Sequence, residues 1–234
     1  MIARLLSAFA ATAIWLSFGV PDVLARDLGV VSFNIQFLGN YKNRRNEDLA
    51  DMLAPYDLVI VQELVAPPHP GHFPDGSPFV PDPEARAFFD AMKAKHFKYV
   101  LSEEDTGTGP VNHLNSAATE WFVAFYKPQY VKLADDLPGG FLAADRSDNP
   151  HYERVPYAFR FRAGKADLIF ISVHLKPGGS KPSRARRTQE FAAISAWISS
   201  RRGTERDYVI LGDMNIEDCQ ELKAVLPTDF ASLK

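Results

Sequence analysis

Short apolar runs that stop at polar side chains organise this chain. Residues 28–33 (Leu-Gly-Val-Val-Ser-Phe) end in Asn34-Ile35-Gln36, and residues 58–61 (Leu-Val-Ile-Val) end in Gln62-Glu63. Residues 168–173 deliver His174, and residues 208–211 run into Gly212-Asp213-Met214-Asn215. Each run is short, rich in β-branched or aromatic residues and bounded by polar ones, which predicts buried strands. Residues 97–101 and 120–126 predict two more, the latter opening on Glu120. Residues 154–161 and 168–173 are spaced as a hairpin around Ala163-Gly164-Lys165. Helical periodicity runs over residues 46–54, with Asn46 as cap, and over residues 84–96 through Phe88, Phe89 and Met92. A long amphipathic helix capped by Ser183 would bury Phe191, Ile194, Trp197 and Ile198 and end near residues 201–203. Residues 66–83 and 135–150 read as irregular, and residues 105–109 as a turn that lacks the lysine and helix of a phosphate loop.

Composition narrows the class. With 234 residues, 46% hydrophobic and 24% charged, the chain suits one large globular domain. A net charge of -3 excludes a protein that coats itself in polyanion, so contact with nucleic acid requires a local basic patch or a metal ion. Arg4 followed by apolar residues 5–20, Pro21 and Val23-Leu24-Ala25 reads as an export leader over residues 1–25. The domain is then residues 26–234, periplasmic or secreted, with no stable membrane span. Cys219 is the one cysteine, so the chain has no internal disulfide.

The candidate chemistry sits where the runs stop. Asp213 and Asn215 are two apart and can share one ligand, although Gly-Asp-x-Asn equally suits an Asx turn. Glu63 after four apolar residues is either a ligand or a salt-bridged strand end. Carboxylate and amide oxygens suit a hard cation such as Mg²⁺, Mn²⁺ or Ca²⁺, and no Cys/His cluster suggests zinc. His69 and His72, in a Pro-rich loop, read as solvated. His174 could move a proton if a carboxylate stands behind it. Lys176, Lys181, Arg184, Arg186 and Arg187 form either a phosphate-contacting patch or a solvated helix start.

These stretches, with Arg154-Val155-Pro156-Tyr157, resemble in kind and order the endonuclease/exonuclease/phosphatase superfamily, which includes pancreatic-type deoxyribonuclease and bacterial sphingomyelinases. The resemblance implies an α/β four-layer sandwich, two packed and mostly antiparallel sheets flanked by helices. It implies Glu63 as main metal ligand with Asn34 beside it, and Asp213 and Asn215 positioning phosphate, nucleophile or a second metal. It further implies His174 as general acid or phosphate contact oriented by Glu120, and Arg154 on substrate phosphate. On the phosphate-contact reading of the basic run, and not from the resemblance, Arg184 and Arg187 are further substrate-binding candidates. Such a protein would be an exported deoxyribonuclease-like phosphodiesterase acting on nucleic acid; a phospholipid or sugar-phosphate phosphoesterase is the neighbouring alternative. The family continues to a terminal Asp-His motif, and no histidine follows His174 here. The resemblance therefore also implies absent last strands, and a non-catalytic or inactive fragment as a third reading.

Overall fold

The computed structural model describes residues 11–16 (backbone), 27–38, 44–106, 119–144, 149–201, 203, 207–227 and 230–232. In chain order these form β1 (Ala11–Leu16), β2 (Leu28–Leu38), α1 (Asn46–Leu53), β3 (Leu58–Leu64), β4 (Gly71–His72), β5 (Pro78–Phe79), α2 (Pro83–Ala94), β6 (Lys98–Leu101) and β7 (Trp121–Tyr126). β8 (Lys132–Leu133), β9 (Gly140–Phe141), β10 (Tyr157–Ala163), β11 (Ala166–His174), α3 (Lys181–Arg201), β12 (Tyr208–Asp213) and α4 (Cys219–Val225) follow. Of the expected leader, only residues 11–16 are described; the rest lies outside the described residues.

One sheet has the order β1-β2-β3-β7-β6 and the other β12-β11-β10-β8, with β9 also on β10. β2–β3 and β11–β12 are parallel, and the remaining pairs are antiparallel. Strand alternation decides what each sheet face meets. Val31, Phe33, Val59 and Val61 point outward onto Leu53, Phe88, Phe89 and Met92 of α1 and α2. Val30, Leu58, Ile60, Phe122, Phe159, Phe161, Leu168, Phe170 and Leu211 fill the space between the sheets. Ile169, Ile171 and Val173 face Phe191, Ile194, Trp197 and Ile198 of α3. Three cores between helices, sheet, sheet and helix make four layers, the architecture that the family resemblance implies.

Local signals were displaced in places. Asn46 does not cap α1, whose N-cap is Arg45; its amide reaches Glu84 of α2 instead, at 3.3 Å. Ser180, not Ser183, caps α3: its hydroxyl accepts from the Ser183 N–H at 3.3 Å, so the helix starts two residues before Ser183. β10 starts at Tyr157, which leaves Arg154 in the preceding loop, where its side chain can turn. Residues 66–83 are less irregular than their composition suggests. They hold the β4–β5 hairpin, and Phe73 and Phe79 of this segment pack on Trp121 with ring centroids 5.7 and 5.0 Å away.

Candidate active site

Both parallel pairs bring their carboxyl ends to one end of the inter-sheet face. Along this inward face the residues change from apolar to polar. Ser32 donates to the Gln62 carbonyl oxygen at 3.1 Å, and the Gln62 amide donates to Ser172 across the sheets at 3.1 Å, all three buried. Two residues further on come Asn34 and His174, and Asp213 lies two beyond inward-facing Leu211. His174 pairs with Asp213 in the β11–β12 register, and Gly212 makes that approach possible. Gly212 has φ of 134°, and a Cβ there would lie 2.0 Å from the Val173 carbonyl oxygen.

β2 and β3 both break register here, between Asn34 and Leu38 and between Val61 and Leu64. Gln36, Phe37, Glu63 and Asn215 all have left-handed backbone, with φ of 56°, 55°, 65° and 50°. Such bulges re-aim side chains, and strain of this kind concentrates at functional sites. At Glu63 it swings the carboxylate over β2, where Oε2 accepts from the Phe37 N–H at 3.0 Å. The Asn34 amide donates to Glu63 Oε1 at 2.8 Å and Asp213 Oδ2 at 2.9 Å, bridging the two sheets. Asp213 Oδ1 accepts from the Asn215 N–H at 3.1 Å, and the Asn215 amide donates to the Leu175 carbonyl at 3.0 Å. The Asx turn suggested by Gly-Asp-x-Asn is therefore present within the site.

Glu120, only 2% exposed, lies behind His174. Its Oε1 is 2.9 Å from His174 Nδ1 and 3.1 Å from Arg154 Nε, and its Oε2 accepts from the Glu63 N–H at 2.7 Å. Burial alone would push the Glu120 carboxyl up, but His174 and then Arg154 outweigh it and lower its pKa. Burial likewise works against the His174 imidazolium, and the charge and hydrogen bond of Glu120 reverse that, raising its pKa. With Nδ1 fixed on Glu120, Nε2 points at the ligand space, 3.9 Å from both Glu63 Oε1 and Asp213 Oδ2. Ligand atoms of Glu63, His174 and Asp213 lie within 4.8 Å of one another, a group that could hold a metal ion. Glu63, Asp213 and Glu120 outnumber the nearby cationic groups Arg154 and His174, and their hard oxygens fit a divalent cation.

Asn34, Glu63, Glu120, Arg154, His174, Asp213 and Asn215 thus converge. Arg184 and Arg187 do not join them. Arg184 lies 3.0 Å from Asp218 and 3.3 Å from Glu221, while Arg187, fully buried, bonds Glu221 at 2.6 Å and the carbonyls of Lys176 and Gly178. A buried guanidinium so engaged is a structural tie rather than a phosphate contact. His69 and His72 belong to no metal group among the described residues. The buried Ser32–Gln62–Ser172 bridge goes beyond the sequence expectations; polar residues at inward positions of apolar runs are its signal in the chain.

No protein-family profile and no curated protein matches the chain. Solved structures do. An endonuclease/exonuclease/phosphatase family protein from Bacteroides thetaiotaomicron aligns at TM-score 0.55 and 15% identity, over 84% of this chain and 67% of that one. The human Nocturnin catalytic domain with bound sulfate anion aligns at 0.54 and 14%, over 90% and 71%. D. rerio TDP2 complexed with single strand DNA product aligns at 0.51 and 14%, over 86% and 66%. The chain has the endonuclease/exonuclease/phosphatase fold.

Proposed function

We propose that this protein is a divalent-metal-dependent phosphodiesterase, an exported, deoxyribonuclease-like hydrolase of nucleic acid. The observation that carries the reading is a histidine held by a buried carboxylate with its free nitrogen 3.9 Å from two carboxylates on the facing strand ends. Glu63 and Asp213 would hold the cation, with Asn34 fixing their spacing. When bound, that ion neutralises phosphate oxygens and stabilises the charge of an in-line displacement. His174, whose imidazolium form the Glu120 carboxylate favours, donates its Nε2 proton to the departing oxygen as water adds to phosphorus. The P–O bond breaks to release the alcohol, the attacking water gives up its proton to solvent, and His174 is reprotonated from solvent. Glu120 stays ionised, and holds the ring orientation. Arg154, anchored on the same carboxylate and donating to the His174 carbonyl at 3.4 Å, would supply the positive charge for the substrate phosphate that the family resemblance implies. Asp213 and Asn215 orient the phosphate or the nucleophile.

Nucleic acid as substrate is supported by the DNA product bound to the structurally similar TDP2. Export is supported by the apolar stretch and small residues before Arg26. No helix among the described residues is long and apolar enough to cross a membrane. The test is hydrolysis of plasmid DNA and of bis(p-nitrophenyl) phosphate with Mg²⁺, with chelator and His174→Ala as controls. Turnover that needs both the ion and His174 is expected; turnover unaffected by either would overturn the reading.

A further inference from the structure

The long helix α3 contributes no side chain to the site, yet two buried charges on its inner stripe reach the loops that carry it. Arg187 and Glu190 stand three residues apart on the face that continues through Phe191, Ile194 and Trp197, and both are fully buried. Glu190 Oε1 accepts from the Glu153 N–H at 2.8 Å and Oε2 from the Lys176 N–H at 3.0 Å, one oxygen for each loop. Arg187 Nη1 donates to the Lys176 carbonyl at 2.7 Å and the Gly178 carbonyl at 2.9 Å. Both main-chain polar groups of Lys176 are therefore held by α3. Glu153 directly precedes Arg154, and Lys176 lies two residues after His174. Arg154 closes the ring by donating to the His174 carbonyl. Outside it, Lys176 Nζ reaches Glu153 at 2.8 Å.

We propose that Arg187 and Glu190 form a clamp on α3 that positions His174 and Arg154 relative to each other. Apolar residues at both positions would continue the stripe without the cost of burying charge. Charges in those places gain something only where main-chain groups need acceptors and donors, and these particular groups flank the residues of the site. Burial pushes the Glu190 carboxyl up, and the two loop N–H groups hold it partly back, which ties its ionisation to the loops being in place. Arg187 is itself held by Glu221 of α4, so α4 braces the clamp from behind. Both residues are positioning residues. The proposal rests on the reading of His174 and Arg154 given under Proposed function.

A double-mutant cycle tests it. Glu190→Gln turns an amide nitrogen toward one loop N–H, so that loop loses its acceptor with no change of volume. With bis(p-nitrophenyl) phosphate and Mg²⁺, kcat/KM should fall about ten- to a hundred-fold, as expected for displaced reacting groups. In an Arg154→Met background the same substitution should cost less than about two-fold, because the partner it positions is gone. Equal factors in both backgrounds would overturn the clamp. Should the wild type not hydrolyse the probe, the functional reading fails by itself, and amide hydrogen exchange of the full wild-type chain decides the clamp separately. The same measurement serves if Glu190→Gln does not fold. The Glu153 and Lys176 amides lie in loops but should exchange as slowly as those of β10 and β11; fast exchange at both would sink the proposal.

Discussion

Glu120→Gln is the substitution that most sharply separates a working histidine–carboxylate pair from polar packing. The side chain is 2% exposed, touches both His174 and Arg154 and accepts from the Glu63 N–H. Glutamine keeps the volume and one acceptor but removes the charge, leaving Arg154, 7% exposed, without its carboxylate. Unit charges about 4 Å apart attract by about 4 kcal/mol at an effective dielectric near 20. Removing one partner of such a pair costs about 3 kcal/mol or more, because the survivor remains buried and uncompensated. For a domain of this size that is a fall of about 6–12 °C in Tm. The pH dependence must change as well. The His174 pKa is raised in the fold, so its contribution is fully present below the pKa of an unfolded histidine and disappears as pH rises through the folded value. The Glu120 pKa is lowered, so its contribution is present above the unfolded carboxylate pKa and disappears as pH falls through the folded value. Urea unfolding across pH should show a flatter profile for Glu120→Gln, and the His174 imidazole resonances should titrate at lower pH than in wild type. Unchanged unfolding midpoints with an unchanged His174 titration would refute the pair.

Other outcomes follow from the same geometry. Gly212→Ala should cost about 3 kcal/mol or more in chemical unfolding, since its Cβ would overlap the Val173 carbonyl, and should separate Asp213 from His174. Arg187→Ala should destabilise by about 2–4 kcal/mol, by leaving Glu221 with the half-exposed Arg184 as its cation and the Lys176 and Gly178 carbonyls without their donor, while the salt dependence of DNA binding stays as in wild type. Phe88→Ala, in the core under α2, should cost about 3–5 kcal/mol with no change in metal affinity.

Much of this was legible in the chain because the apolar runs are short and the chemistry sits where they stop. Asn34, Glu63, His174 and Asp213 each end such a run, and a period of two carries the inward face into the site at Asn34, His174 and Asp213, whereas Glu63, next to inward Gln62, is brought in by the register break of β3. Less legible were contacts set by residues distant in sequence. Arg187 looks like part of a solvated basic run until Glu221, 34 residues on, is folded against it. Glu190 has two loop amides as partners, which no side-chain pattern records. Its position on the apolar stripe of α3 was the available sign. The Asn46 and Ser183 caps failed for a local reason: a neighbouring residue took the capping position, and the expected side chain found another partner.

The claim that Glu63 and Asp213 form a divalent-cation site is tested most directly by calorimetric titration of Mg²⁺ and Mn²⁺ into wild type, Glu63→Gln and Asp213→Asn. Each carboxylate removed should weaken binding by about ten-fold or more, as for loss of a charged oxygen ligand. Equal affinity in all three proteins would contradict the assignment and leave His174 and Glu120 without the cation beside which they are proposed to act.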